Sequence, residues 1–435
     1  MTKASASKLW QPLTMGGTTL RNRLVLSPMT RRRAAADGTP TALMAEYYTQ
    51  RAGFGLIVTE GLYPGPEGRD PNQPGLTGST HTHGWSAVTR SVRAHGTPVF
   101  AQLMHAGRVT SPSITGIDTV LAPSAVAYDD HHGHHPGRTM PEATAADITH
   151  LVQAHAEAAR RARRAGFDGV ELHAANGYLL HQFLAPSTNL RTDKYGGSPR
   201  RRARFVTEAV EAVADAIGAN RVGIRISPGA NIQGSLETDE QDVSATYTAL
   251  LEGLESRPPA YVSMIHPTVK SGFVQELRRR SGTHMIANTG FSQVTDRHTA
   301  LETVDAGHAD AVAVGRPAIS NPDLAQRRRH DRPETAPITE TFYTGGARGY
   351  TGYPTDGVGE ARPVRRPSSE HPRHRLRAAG SPGLEPGRRL DATCRERLPA
   401  CVRPDADAAG PAPGQSFSAG RPCAACGPRG AGAAR

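Results

Sequence analysis

Cysteine is absent from the first 390 residues of this 435-residue chain. Its absence excludes a disulfide framework and a thiol nucleophile from most of the molecule. Long apolar runs are also missing, since none approaches the ~18 residues that a membrane span needs. The N-terminal sequence MTKASASKLW has no apolar stretch typical of a signal peptide. We therefore expect a cytoplasmic protein without a membrane segment.

Lysine is absent from the last 80 residues, although they contain 14 Arg and 8 Asp plus Glu. This segment therefore carries +6 of the formal net charge of +11. Its Arg, Pro, Ala and Gly show no helical or strand period, which predicts a disordered tail over residues 356–435. A reading-frame shift in a GC-rich gene would also explain this composition. The remaining +5 over residues 1–355 is ordinary for an enzyme, and we expect no nucleic-acid partner.

Eight short apolar runs alternate with eight segments of helical character. Runs that are apolar on both faces are typical of strands in a parallel sheet. The predicted strands are Leu24–Ser27, Leu56–Glu60, Pro98–Met104, Gly169–His173, Val222–Ser227, Tyr261–Ile265, His284–Asn288 and Ala311–Arg316. The predicted helices are Thr41–Ala52, Trp85–Ala94, Ala145–Ala165, Pro199–Ile217, Gln241–Glu255, Phe273–Arg280, Gln293–Ala306 and Pro322–Arg329. Strand then helix, eight times over residues 1–355, predicts an α/β fold, a (β/α)8 TIM barrel.

Two further sequence features contain residue types that can bind a metal, and we interpret neither as a metal site. The insertion His105–Pro141 holds the sequence HHGHH at His131–His135, which we interpret as a solvated loop at the catalytic face and not as a metal site. Cys423 and Cys426 have the spacing of a metal or redox pair but no flanking strand or helix. We expect no bound metal.

A TIM barrel carries its active site at the carboxyl ends of its strands. Gly290 after the seventh strand, and Gly315 and Arg316 after the eighth, are suited to a phosphate, because glycine lets the backbone approach and arginine adds a charged donor. Arg225 at the fifth strand end would be costly there unless it faces an anion or an electron-rich ring. Gln102 offers a donor and an acceptor side by side, as the edge of a heterocycle requires.

The stretch GVELHAANGY, Gly169–Tyr178, ends the fourth strand with three hydrogen-bonding side chains. His173 and Asn176 are three residues apart and would point the same way if the turn is helical, so that both donate to one oxygen atom. Tyr178 follows them. These residues predict a barrel enzyme that binds a phosphorylated, ring-containing ligand. No lysine stands at a strand end, which counts against a Schiff-base aldolase.

Several long motifs resemble the old yellow enzymes, the FMN-dependent ene-reductases, over about Leu9–Pro354. The yeast- and enterobacterial-type members are the most similar in character, because Thr30 stands where some relatives have Cys. The motifs, in chain order, are SPMTR, LIVTEG, QLMHAGR, GVELHAANGYLLHQFLAPSTNLRTDKYGGS, VGIRISP, AVAVGRPAISNPDL and FYTGGARGYTGYP. Met104 departs from the pattern, since the family usually has an aromatic residue there.

The resemblance implies roles for the residues at the strand ends. The cofactor-binding residues would be Pro28, Met29, Thr30, Gly61, Gln102, Arg225, Gly290, Gly315 and Arg316. The catalytic residues would be His173 and Asn176, which bind the substrate's carbonyl oxygen, and Tyr178, which donates the proton. FMN would be the cofactor, with NADPH or NADH as the reductant, and an activated alkene would be reduced by a ping-pong mechanism.

Other functions compatible with the sequence are a pathway-specific flavoprotein reductase or isomerase in natural-product biosynthesis, and a phosphosugar lyase or isomerase. The phosphosugar enzyme would need a catalytic Lys or carboxylate. Glu60 is the only such residue at the predicted strand ends, which counts against this alternative. A nucleic-acid role of the Arg-rich tail is a third alternative. The sequence makes no prediction of the oligomeric state.

Overall fold

A computed structural model describes residues 6–118, 120–128 and 137–355. Eight parallel strands form a closed barrel in which each strand pairs with its neighbours in the chain, and the last pairs with the first. The predicted TIM barrel is therefore confirmed. The barrel strands, numbered β1 to β8, are Leu24–Leu26, Leu56–Leu62, Val99–Leu103, Gly169–Ala174, Val222–Ile226, Tyr261–Ile265, His284–Asn288 and Ala311–Val314.

Eight helices follow the strands around the barrel. Helices α1 to α8 are Ala42–Gln50, Ser79–Arg93, Ala145–Arg164, Pro199–Ile217, Glu240–Gly253, Gly272–Ser281, Arg297–Asp305 and Leu324–Arg329. The predicted cap of α3 is present as a capping box, in which Thr144 and Asp147 each bind the other's backbone N–H. Pro199 opens α4 at the predicted position, where its missing N–H costs no hydrogen bond.

Two helix starts differ from the prediction by more than two residues. Helix α2 begins at Ser79, and Gly84, predicted to make a turn before the helix, lies inside it. A Cβ at Gly84 would come 2.8 Å from Cγ of Pro40, so this glycine permits close packing of the helix against Pro40. Helix α7 begins at Arg297, since the side chain of Asp296 accepts from the N–H of Thr299 and caps the helix there.

Several short elements of the described residues are absent from the prediction, and three of them lie next to the barrel strands. A hairpin of Leu13–Met15 and Thr18–Leu20 precedes the barrel. The helix Leu179–Leu184 is wholly buried within a stretch that the sequence indicates as a polar loop. The helix Arg316–Ser320 begins at a residue predicted to end β8. In each case tertiary packing decides the structure of a segment too short for its own period to show.

The barrel interior is closed at its amino end and open at its carboxyl end. Met15 and Leu20 of the hairpin pack against Val58, Phe100 and Tyr261, which point into the barrel. A larger apolar layer separates the strands from the helices. The plug leaves the carboxyl ends of the strands as the place where a ligand can enter.

Some predicted features lie outside the described residues. They are the tail 356–435, all four cysteines and the His131–His135 sequence. Within the described part of the chain, no helix is long and apolar enough to cross a membrane. The same residues contain no group of three or more His, Cys, Asp or Glu side chains arranged to hold a metal ion.

Candidate active site

A cavity of about 1270 Å³ opens at the carboxyl ends of the strands. Its volume exceeds the roughly 300–1,000 Å³ of a pocket for one drug-sized ligand, so that a large cofactor and a substrate fit together. Eleven of the twelve predicted site residues line it. They are Pro28, Met29, Thr30, Gln102, His173, Asn176, Tyr178, Arg225, Gly290, Gly315 and Arg316.

Gly61 is the predicted site residue that the structure places elsewhere. It is buried within β2, where a Cβ would lie 2.7 Å from Sδ and 2.8 Å from Cβ of Met104. Met104 itself lines the cavity. Gly61 therefore acts on the cavity wall indirectly, by leaving room for the side chain that forms it.

A buried polar group forms the floor of the cavity, where β3, β4 and β5 meet. Glu171 of β4 accepts from Nε2 of Gln102 at 2.8 Å and from the hydroxyl of Tyr261 at 3.1 Å. Arg225 of β5 donates to Oγ of Ser263 at 2.9 Å. Burial raises the pKa of Glu171, while the positive charge of Arg225 opposes that shift. Because Glu171 takes the amide N–H of Gln102, the amide oxygen of Gln102 is left to accept from a ligand.

His173 is held neutral at the end of β4. Burial, followed by the charge of Arg225 and by His181, sets its pKa well below the ordinary histidine value. Its Nδ1 is buried and has no hydrogen-bond partner among the described residues. A buried polar atom without a partner is costly, which indicates that a ligand belongs beside it.

Asn176 lies in a left-handed turn, with φ of +58°. The helical turn that would make His173 and Asn176 point the same way is not present, since His173 still belongs to the strand. Oγ of Ser227 accepts from the N–H of Asn176 at 2.9 Å. The carbonyl oxygen of Asn176 accepts from Nε2 of Gln233 at 2.6 Å. The side-chain Oδ1 of Asn176 is buried without a partner among the described residues.

Tyr178 is half-buried, and its ring centre lies 5.1 Å from that of His173. Burial raises its pKa above the ordinary tyrosine value, and the nearby carboxylate of Asp70 raises it further. The hydroxyl therefore stays protonated at neutral pH and can serve as a proton donor.

The rim beyond β7 and β8 holds the residues predicted to bind phosphate. Arg316 is exposed there, and its Nη2 donates to the carbonyl oxygens of Phe291 and Gln293 at 2.7 and 3.0 Å. The N–H of Gly290 already donates to Oδ1 of Asn288 at 3.0 Å, so it is not free for a ligand in this structure. The remaining guanidinium nitrogens of Arg316 and the backbone at Gly315 stay the groups predicted to bind a phosphate.

Sequence reasoning missed several cavity residues. Asp70 and Gln233 line the cavity from loops distant in the chain, and no local pattern marks them. Phe342 and Tyr343 also line the cavity; they begin the motif FYTGGARGYTGYP, but the motif assigns them no role. Glu171 had a usable signal, because a carboxylate inside a run of buried residues requires partners.

Glu60 supports the site from behind. Its two carboxylate oxygens accept, both at 3.2 Å, from the N–H of Arg31 and the hydroxyl of Tyr48, so it fixes the loop that carries Thr30. Burial raises its pKa to about 7. The folded chain then binds a proton that the unfolded chain has lost, so the stability that Glu60 contributes is complete below its unfolded pKa and falls as the pH rises through 7.

We expect a pH-dependent stability difference between the wild type and Glu60→Gln. The wild type should lose roughly 3 kcal/mol of unfolding free energy relative to the variant between about pH 4.5 and pH 7. Urea unfolding of both proteins across this range, in the same flavin-loaded state, measures the difference. Parallel pH profiles would show that Glu60 titrates normally.

Taken together, the fold and the site define a class of protein. An amide oxygen and a buried guanidinium lie on the cavity floor, and an arginine stands at its rim. Nδ1 of His173, which has no partner among the described residues, belongs to the same cavity as a protonated tyrosine. These features fit a ring-containing, phosphorylated cofactor such as FMN with a carbonyl-bearing ligand next to it. The class is a flavin-dependent barrel oxidoreductase.

Comparison with known proteins gives the family. The model of the NADH:flavin oxidoreductase / NADH oxidase family matches residues 8–335, and the chain belongs to that family. A probable flavin mononucleotide-dependent alkene reductase of Leishmania infantum is 38% identical over 369 residues, which cover 80% of this chain and 98% of the relative. A chanoclavine-I aldehyde reductase of Penicillium roqueforti is 36% identical over 366 residues, covering 80% and 96%.

A solved structure of a related enzyme supports the same family assignment. Morphinone reductase in complex with tetrahydroNAD is 38% identical, has a TM-score of 0.75 and is covered over 99% of its length by 81% of this chain. The predicted family, oxidoreductase class, FMN cofactor and nicotinamide reductant are confirmed.

Proposed function

We propose that this chain is an ene-reductase that uses FMN and NAD(P)H to reduce the C=C bond of α,β-unsaturated carbonyl compounds. The observation that carries the proposal is the placement of His173, Asn176 and Tyr178 around one end of the cavity, where the buried Nδ1 of His173 has no hydrogen-bond partner among the described residues. The names of the alkene reductase and morphinone reductase relatives support it.

FMN supplies hydride chemistry when it is bound. Gln102 would accept from the pyrimidine end of its ring, and Arg225 would place positive charge there. Pro28, Met29 and Thr30 would pack along the ring, while Gly315 and Arg316 would hold the phosphate. Gly290 shapes that rim through its left-handed backbone, with φ of +85°.

His173 and Asn176 would bind the carbonyl oxygen of the alkene substrate. The neutral imidazole and the amide each offer an N–H donor, and both hydrogen bonds strengthen as negative charge grows on that oxygen. The site is buried, so little water competes for the oxygen.

Tyr178 would complete the reduction by giving its hydroxyl proton to the carbon atom next to the carbonyl group. Its raised pKa keeps the proton in place until the substrate becomes strongly basic. Phe342 and Tyr343 also line the cavity and would cover the substrate.

Two finer points rest on the sequence and family. NADPH and NADH are both candidate reductants, and a cytoplasmic location is our prediction.

The pathway-specific reductase or isomerase is the second candidate function, supported by the large cavity and by the chanoclavine-I aldehyde reductase relative. Oxidoreductase membership weighs against the phosphosugar enzyme.

Product analysis tests the proposed function. The purified protein is given 2-cyclohexenone with NADPH or NADH under anaerobic conditions, and the products are separated by gas chromatography. Cyclohexanone formed in equal amount to the nicotinamide oxidised is the expected result. Nicotinamide oxidation without cyclohexanone, or a product of unchanged mass, would contradict a general ene-reductase and favour the pathway-specific candidate.

Arg316→Met should weaken FMN binding by roughly 10- to 100-fold, because one charge-assisted contact to the phosphate is lost. Riboflavin has no phosphate and serves as the matched control ligand, with an affinity that should not change. Quenching of flavin fluorescence measures both. An equal loss for FMN and riboflavin would show that Arg316 supports the cavity wall instead of binding the phosphate.

A further inference from the structure

A second buried network lies behind the substrate end of the cavity. Glu237 ends the loop that joins β5 to α5 and is fully buried. Its Oε2 accepts from the N–H of Gly229 at 2.8 Å and lies 3.3 Å from Nε2 of His181. The hydroxyl of Tyr247 donates to its Oε1 at 3.1 Å. Glu237 thus joins both ends of one loop to two neighbouring helices.

The tautomer of His181 follows from its contacts. Nδ1 accepts from the N–H of Gly177 at 2.7 Å, so this nitrogen carries no proton. The ring proton therefore sits on Nε2, which lies 3.3 Å from Oε2 of Glu237 at ion-pair distance but outside hydrogen-bond geometry. A continuous line of polar contacts then runs from Glu237 through His181 to the backbone at Gly177.

This line ends at the residue next to Asn176. Asn176 and Gly177 both have left-handed backbones, a conformation that costs energy at asparagine unless the surroundings hold it. His181 holds the N–H of Gly177, and Gln233 holds the carbonyl oxygen of Asn176. Gln233 belongs to the loop that Glu237 closes, so two of the contacts that fix this turn depend on Glu237.

We propose that Glu237 and His181 are positioning residues that set where the side chain of Asn176 meets the substrate's carbonyl oxygen. Both side chains are fully buried behind the cavity wall and act through the turn at Asn176. The inference rests on the proposed function, because it assumes that Asn176 binds a carbonyl oxygen.

Burying a carboxylate and an imidazole is costly, and apolar side chains of similar size would fill the same space at less cost. The pair is accounted for by the backbone groups that it orders, since Gly177 and Gly229 need acceptors at these places. If the pair positions Asn176, its removal should weaken binding of the carbonyl ligand only while Asn176 is present.

The test measures 2-cyclohexenone binding to the oxidised, FMN-loaded protein, read as a change in flavin absorbance. His181→Phe and Glu237→Leu fill the space but remove the acceptors, and each should weaken binding at least fivefold. Glu237→Gln is one matched control, because a Gln oxygen can still accept from the N–H of Gly229. Tyr247→Phe is the second, because the hydroxyl that it removes donates to Glu237 and to no backbone group of the turn. Both controls should stay within about twofold, and FMN affinity should not change in any variant.

Combination with Asn176→Ala decides between positioning and general structural support. If the pair acts through Asn176, then His181→Phe and Glu237→Leu should weaken binding no further once Asn176 is Ala. Additive losses in the double variants would overturn the proposal, as would a loss of FMN affinity equal to the loss of enone affinity. The readout needs no turnover, so it is distinct from the product analysis, whose failure would contradict the proposed reaction alone.

Discussion

Tyr178→Phe should slow alkene reduction by at least about 100-fold while leaving flavin reduction by NADPH within about twofold, as general acid catalysis contributes roughly 10²- to 10⁴-fold. The substitution keeps the ring that lies 5.1 Å from His173 and removes the hydroxyl alone. That hydroxyl holds its proton at neutral pH because burial raises its pKa. Stopped-flow measurement of the two half-reactions separates the effects.

Tyr343→Phe is the control for the loss of a tyrosine hydroxyl at the same cavity. Tyr343 also lines the cavity, but it is largely exposed at the mouth. Its loss should change neither half-reaction by more than about twofold, which is the range of an exposed polar contact. Equal slowing of both half-reactions by Tyr178→Phe would remove Tyr178 from the role of proton donor.

His173→Ala and Asn176→Ala should each lower kcat/KM for enones by roughly 10²- to 10³-fold, the usual cost of losing one donor to a developing oxyanion. Burial and Arg225 keep His173 neutral, so its loss should have the same effect at pH 6 and at pH 8. Steady-state kinetics at both pH values measures this. A much larger effect at pH 6 would show that a protonated imidazole takes part instead.

The double variant of His173 and Asn176 gives a further check on their shared role. If both side chains donate to one oxygen atom, the double variant should lose less kcat/KM than the product of the two single losses, because the two groups act as a unit. Fully multiplicative losses would place the two side chains on separate parts of the substrate.

The barrel could be predicted from the sequence because each strand is buried on both faces and therefore reads as a short apolar run. Once the fold is a barrel, the carboxyl ends of the strands meet in space. His173, Arg225 and Gly315, far apart in the chain, could thus be assigned to one cavity before any coordinates were known.

The remaining parts of the site depend on contacts that leave no local pattern. Asp70 and Gln233 reach the cavity from loops whose path is set by tertiary packing. The role of Gly61 depends on the side chain of Met104, which directly follows the next strand. The N–H of Gly290 is taken by Asn288, two residues before it. The left-handed turn at Asn176 likewise depends on Ser227, Gln233 and His181, which the spacing of His173 and Asn176 does not reveal.

The visible absorption spectrum of the purified, desalted protein tests the central claim most directly. We expect a flavin spectrum that bleaches when NADPH is added without oxygen and returns when 2-cyclohexenone follows. That sequence of changes would establish the cofactor, the reductant and the reaction class together. A colourless protein that also takes up no added FMN would contradict the assignment of Gln102, Arg225 and Arg316 to the flavin.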